Sequence, residues 1–404
     1  MTAASLPATI DIESLALDQG ALLLVRRALA VLADGDELRV RGRADAWDLH
    51  LAAWCRQQGI ALRFETDAQG RLHGVLTRGP SADGRWSGAQ RAGPATGSEA
   101  TASEARADWG LAARGATVEA GSPAFAFGLR QRHELWAATA GELYAQAAAA
   151  QWDPATAIDW NAPFELAPEI EAAVVQVMTY LVENENAALL VPARHLGQIH
   201  PHYREVLQLL ALQCADEARH VEVFTRRAGL RGLPPALSTA GGQASLRTLF
   251  DAPDFSTATF LLSVLGEGSF VNLLNFLHEH GPDPVTRQVA RLAARDEGRH
   301  VAFGMAHLEY RLAVEPDYQV RLRNAIEQRF DALANTAGLN EEVFDALVLL
   351  AAGALTTDAV ARGHAAVQQL KREMAAGRRA RLSRLGFERA EAERLADLHT
   401  RNFM

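Results

Sequence analysis

The sequence predicts two differently built parts: a small α+β domain of order β-α-β-α-β-β, then a mainly α region holding a four-helix bundle with extra C-terminal helices. Three observations carry this. Residues 1–79 switch repeatedly between period-two and period-3.6 patterning. From about 122 onward apolar residues recur at helical spacing and strand signals almost vanish. Alanine and leucine abound, which favours helix.

Taken in order, TIDIESL alternates apolar and polar residues as a half-buried strand does, and ALLLVRRALAVLADGD comes next as a helix that stops at Asp34-Gly35. ELRVRGR alternates again, and DAWDLHLAAWCRQQG is a second amphipathic helix. IALRFETDAQGRLHGVLTRG reads as two strands joined by a turn at Asp67 to Gly70. Residues 80–120 are rich in Gly, Ala, Ser, Pro and Glu without an apolar period, and predict a flexible linker. The helical domain is then expected over 121–404, with its core bundle at about 165–315. Two Pro/Gly-rich breaks, 229–242 and 280–285, leave long helices at 168–198, 201–228, 254–280 and 284–313. Further helices are expected at 316–336, 340–375 and 388–399.

The bulk properties exclude several functions. The net charge is −9 with no basic tract, so nucleic acid is not an expected partner. Two cysteines, Cys55 and Cys214, cannot make a disulfide scaffold or a four-cysteine iron–sulfur site. The first residues lack a basic end followed by an apolar run, and no segment of about 20 residues stays apolar without charge. Neither a signal peptide nor a membrane span is expected, and the reading is a cytoplasmic protein.

The chemistry centres on a doubled motif, DEARHVEVF (Asp216–Phe224) and DEGRHVAFG (Asp296–Gly304). In each, Glu and His are three apart and share one helix face, one turn apart. Glu217 with His220 and Glu297 with His300 thus supply two carboxylate–imidazole pairs. A two-metal site in a bundle core needs one further Glu from each of two other helices. Glu267 lies 30 residues before Glu297 (297 − 267) and Glu185 lies 32 before Glu217 (217 − 185), each in an apolar helical segment. A bare buried carboxylate is costly unless protonated, paired or metal-bound. Glu183 competes with Glu185, but two positions along a helix turn it to roughly the opposite face. Metal-bound His gives its other N–H to a carboxylate, so Asp216 and Asp296 are expected to accept from the His of the opposing motif. Arg219 and Arg299 are expected to pair with those aspartates. Cys214, three before Glu217, shares the ligand face. Phe260, Phe270 and Met178 stand at helical spacing from the glutamates as candidates to line a substrate cavity.

At these residues the sequence resembles the ferritin-like diiron carboxylate superfamily, of oxygenase/oxidase type, over roughly 165–315. DEARH and DEGRH are similar to the Asp-Glu-x-Arg-His pattern of the bacterial multicomponent monooxygenase hydroxylases. The resemblance implies that Glu185, Glu217, His220, Glu267, Glu297 and His300 bind two Fe ions, and the donors also suit an Mn/Fe pair. It implies Glu217 and Glu297 as bridging, catalytic carboxylates and O2 as co-substrate. The implied activity is a diiron-dependent oxidoreductase, a monooxygenase or N-oxygenase acting on a small organic substrate. Its electrons would come from an external donor or reductase, since no flavin or iron–sulfur motif is found. The chain departs from relatives at Phe224, where ribonucleotide reductase small subunits often carry a radical tyrosine. It departs at Val271, where the hydroxylases place threonine, and at Gln213 and Ala293, where the arylamine N-oxygenases differ. Two other readings stand beside this one: an iron storage or ferroxidase protein, and a non-catalytic scaffold with a relic site. Flat bundle faces suit a homodimer.

Residues 1–79 resemble the TusA-like sulfur-carrier fold, HLAAWCRQQGIAL being similar to that family's second helix and following strand. The family's catalytic Cys-Pro is replaced here by Leu17-Asp18, which implies a degenerate docking or oligomerisation module. Cys55 reads as a packing residue.

Overall fold

The structure is a computed structural model and describes residues 8–79, 86, 88–94, 101–333 and 341–400. Of the expected linker, 80–85, 87 and 95–100 lie outside the described residues. The chain divides into two compact units, Met1–Arg91 with Thr117–Ser122, and Ala92–Ala116 with Pro123–Met404.

In the first unit, β1 (Ala8–Asp11), α1 (Ala21–Ala30), β2 (Glu37–Arg41), α2 (Trp47–Gln58), β3 (Ala61–Thr66) and β4 (Leu72–Thr77) keep the expected order. The sheet runs β1-β2-β4-β3, with β1 and β2 parallel and the other pairs antiparallel. Parallel neighbours need a crossover, and α1 supplies it. Val25, Leu29, Leu51 and Cys55 of the helices pack with Leu38, Val40 and Leu76 of the sheet. Gly74 permits that approach, since a Cβ there would lie 2.8 Å from Leu51. Burial pushes the Cys55 thiol up to about 11, as suits a packing residue. A short ribbon, β5 (Gln90–Arg91) with β6 (Thr117–Val118), completes the unit.

The second unit is helical: α3 (Ala140–Ala149), α4 (Pro168–Leu196), α5 (Arg204–Ala228), α6 (Ala240–Phe250), α7 (Phe255–Thr259), α8 (Gly268–His280), α9 (Pro284–Val314), α10 (Tyr318–Leu333), α11 (Glu341–Ala352), α12 (Thr357–Arg384) and α13 (Arg389–Thr400). Between α7 and α8 the chain stays helical but widens to a π-helix over Phe260–Glu267. The four long segments therefore fall where the periodicity puts them. Asp283 caps α9 by accepting from Thr286 N at 2.8 Å, with Pro284 at the first helical position.

Three expectations need correction. The expected linker is partly folded: Thr101, Ala105 and Trp109 are buried, and Arg114 clasps Glu205 at 2.6 and 2.9 Å while donating to the His202 carbonyl at 3.0 Å. Long-range bonds hold this segment, so it shows no periodicity of its own. Helix α6 begins inside the expected 229–242 break, where Thr239 caps it by accepting from Gly242 N. The expected 340–375 helix is two helices, broken at Gly353, whose φ of +70° is left-handed. Apart from these, Phe255–His280, which carries Glu267, is long and apolar enough to cross a membrane by length and composition (mean hydropathy 1.5). It is 83% buried over that window, which marks a core helix, apolar all round because protein covers it all round.

Candidate metal centre

Six side chains meet in the bundle core. Glu185 comes from α4, Glu217 and His220 from α5, Glu267 from the end of the π segment, and Glu297 and His300 from α9. All are buried, none more than 4% exposed. They form two donor sets: Glu185, Glu217, His220 and Glu297, and Glu217, Glu267, Glu297 and His300. Within each set one donor atom per residue lies within 4.8 Å of the others, and Glu217 and Glu297 belong to both. His220 Nδ1 faces Glu217 at 3.2 Å and Glu185 and Glu297 at 3.4 Å. His300 Nδ1 faces Glu217 at 3.0 Å and Glu297 at 3.3 Å. Glu183 belongs to neither set and lines a separate surface cleft with Asn186 and Leu190.

The outer ring makes the expected exchange. His220 Nε2 lies 3.2 Å from Asp296, and His300 Nε2 lies 3.4 Å from Asp216, each on the opposing motif. Arg219 donates to Asp216 and, at 3.1 Å, to Asp296; Arg299 donates to Asp296 and, at 3.5 Å, to Asp216. With each Nε2 facing a carboxylate, each Nδ1 faces the glutamates, so that a metal taking the Nδ1 proton's place would meet the tautomer it requires.

Without metal, Glu185, Glu217, His220, Glu267 and His300 share protons. Burial, and then the Glu217 charge, hold the Glu185 carboxyl well above its ordinary range; burial and Glu297 do the same to Glu267. Burial also disfavours charge on Glu217, but His300 and His220 outweigh it and hold that carboxyl low. Both imidazoles are held well above the ordinary range: burial opposes this, and Glu185 for His220 and Glu217 for His300 override it. A metal replaces those protons.

Orphaned oxygens test the fit. Glu185 Oε1, Glu217 Oε1 and Glu267 Oε2 are buried without a hydrogen-bond partner among the described residues. Glu217 Oε1 is near His300 Nδ1 but outside hydrogen-bond geometry. Buried acceptors left open are costly. Six carboxylates (the four glutamates with Asp216 and Asp296) against two guanidinium groups leave four negative charges, which two divalent cations cancel. The hard oxygen and imidazole donors suit iron or manganese. The residues fit a two-metal site.

A small cavity of about 20 Å³ lies beside the cluster. Glu185, Glu267, Glu297 and Asn184 supply its polar lining, and Ala188, Leu246, Leu249, Leu262 and Phe270 its apolar wall. Of the three expected wall residues only Phe270 lines it; Phe260 and Met178 are core. Cys214 joins neither donor set: its thiol lies 3.8 Å from the Leu189 carbonyl and is pushed up to about 11, chiefly by burial.

Several contributors escaped the sequence reading. Gln151 Nε2 donates to Asp216 at 2.9 Å, and Trp152 Nε1 donates to Asp296 at 2.7 Å. Gln213 Nε2 donates to Glu267 at 3.2 Å. Arg381 of α12 donates to the Val264 carbonyl at 2.6 Å, within the π segment. Gln151, Trp152 and Arg381 lie outside the four bundle helices, so no periodicity marks them.

No family model matches the sequence, and no curated protein matches it. Among solved structures, the chain is similar to a variant of an R2-like ligand-binding oxidase with an aerobically reconstituted Mn/Fe cofactor: 17% identity, 65% of this chain, 93% of that one, TM-score 0.43. It is similar also to a protein with aldehyde deformylating oxidase activity from Synechococcus: 18% identity, 57% of this chain, 96% of that one, TM-score 0.41. At that distance the likeness carries no argument, and the reading of the site rests on its geometry.

Proposed function

We propose that the chain is a non-haem dimetal oxidase or oxygenase that uses O2 to oxidise a small organic substrate, as a monooxygenase or N-oxygenase. The observation that carries this is the pair of donor sets sharing Glu217 and Glu297. Glu185 and His220 would hold one metal, Glu267 and His300 the other, and the two shared glutamates would bridge them. Two iron ions, or manganese and iron, supply the electrons that reduce O2 when bound. The aspartates hold each imidazole with its proton on Nε2, and the arginines hold the aspartates. The apolar wall excludes water and receives the substrate. That wall favours organic oxidation over iron storage, which has no use for a leucine-lined cavity. An external donor returns the electrons. The α+β unit is read as a docking module of TusA-like build without its cysteine, on a homodimeric, cytoplasmic protein.

The test is anaerobic ferrous loading and then exposure to O2, watched by absorbance, with metal analysis and Glu217→Ala as control. About two irons per chain and a transient visible band, both lost in the control, are expected. No stoichiometric iron, or many irons per chain, would sink the reading.

A further inference from the structure

Two guanidinium groups of α12 meet the π segment just where it delivers Glu267. In an α-helix the Gly268 N–H would serve the Val264 carbonyl, four residues back; here it reaches the Ser263 carbonyl, five back. The Val264 carbonyl accepts from Arg381 Nε at 2.6 Å. The next carbonyl, Leu265, accepts from Ser269 Oγ at 2.8 Å, and that hydroxyl accepts from Arg378 Nη1 at 2.8 Å. Two consecutive carbonyls of the wide turn are thus held by side chains, one directly by α12 and one through Ser269.

The chain is shaped to admit this contact. A Cβ on Gly268 would lie 2.4 Å from Arg381 Cζ, and one on Gly377, a turn earlier on α12, would lie 3.1 Å from Arg381 Nη1. Glycine at 268 lets the guanidinium approach the backbone of the residue that follows Glu267. Arg378 is 1% exposed. Arg381 is half-buried, and its Nη2 is buried without a hydrogen-bond partner. Burial pushes both pKa values down to about 10, and at Arg378 the Arg381 charge adds to this. Two like charges close together and poorly solvated are costly, so merely tying α12 to the bundle would be better served by apolar side chains. What apolar side chains cannot do is donate to a carbonyl.

We propose that Arg381 is a positioning residue for Glu267, supported by Arg378 through Ser269: together they hold the turn wide and so set the direction from which Glu267 meets its metal. Rewound as an α-helix, the same residues would turn Glu267 by roughly 100° relative to α7. Glu267 belongs to one donor set and not the other, so the effect falls on one metal of the pair. This deepens the proposed function and rests on it for the metals alone; the hold on the wide turn is a property of the metal-free chain.

The experiment uses the full chain. In the metal-free protein, hydrogen exchange of peptides covering 260–270 should be at least about tenfold faster in Arg381→Ala than in the wild type, with α9 unchanged. In anaerobic ferrous titration followed by calorimetry, Arg381→Ala should bind one iron as the wild type does and the other at least about tenfold more weakly. Arg381→Lys, which keeps a donor, should recover part of that loss. Gly268→Ala, which displaces the guanidinium, should weaken one iron only and add nothing when combined with Arg381→Ala. An arginine that only ties α12 to the bundle would lower the melting temperature and leave the two irons equally affected. Exchange that rises throughout the bundle or not at all, or two irons weakened alike or not at all, would overturn the proposal. If Arg381→Ala does not fold, Gly268→Ala decides by the same two readouts. A wild-type chain that takes no pair of irons sinks the proposed function, and the exchange result then decides this inference by itself.

Discussion

Two buried charge networks lie in the same helical unit, and they differ in whether their hydrogen bonds close. Arg227 is fully buried, and its Nε bonds Thr286 at 2.9 Å. Its Nη groups clasp Glu171 at 2.7 and 3.0 Å and Asp283 at 2.8 Å. Every donor group is used, and α4, α5 and the cap of α9 are locked together. Around Glu217 the outer ring is less complete, Arg219 Nε and Arg299 Nε being buried without a partner, and three glutamate oxygens have no hydrogen-bond partner among the described residues. A closed network does its work within the fold; one left open on a single side is shaped for something the chain does not contain.

That contrast can be broken or sharpened by experiment. Glu217→Ala, which opens both donor sets at once, should abolish stoichiometric iron binding while the protein stays folded, read by metal analysis and circular dichroism. Arg227→Ala should do the reverse. It leaves two buried carboxylates uncompensated and should cost about 3–5 kcal/mol in urea denaturation, while the folded fraction still binds iron.

Histidines offer the same test through pH. His307 is a closed imidazole, its Nδ1 3.0 Å from the Trp136 carbonyl and its Nε2 2.8 Å from Ser256 Oγ. Burial pushes its pKa down from 6.5 to about 4. Between those values the unfolded chain binds the proton and the folded one does not. Stability is thus intact above about pH 6.5 and falls as pH drops towards 4, by about 3 kcal/mol from this residue. The slope of stability against pH should flatten in His307→Gln; an unchanged slope would refute the assignment. Smaller still, Asp296→Asn should weaken metal binding about 10–100-fold without removing it, by loosening His220. The smallest effect belongs to Glu183→Gln, which should leave iron stoichiometry unchanged, whereas Glu185→Gln should reduce it.

The parts of this site that were legible in the sequence are those on one helix or at a repeated distance. Glu217 and His220 share a face by spacing alone, and the 30- and 32-residue offsets single out Glu267 and Glu185. The His–Asp exchange was inferable from chemistry because it joins two copies of one motif. Gln151 and Trp152 were not, because each reaches the centre from an element whose position depends on tertiary packing. Helix α6 was hidden because its glycine-rich first turn reads as a break, yet it supplies Leu246 and Leu249 of the cavity wall. The expected linker failed for a related reason: composition reports on periodic burial, and Trp109 and Arg114 are held irregularly.

The π segment has one more consequence. A helix closed i→i+5 holds about one residue more per turn than one closed i→i+4, and each α-helical residue advances the helix by about 100° of rotation. The angular phase at which Glu267 arrives therefore depends on how the turn closes as well as on how many residues lie between Phe260 and it. Deleting one apolar residue there would let the stretch close as an ordinary α-helix, in which Glu267 keeps nearly the same direction, whereas a deletion in an α-helical turn of α9 would rotate every residue beyond it by about 100°. For this stretch the wide turn is what absorbs the odd residue.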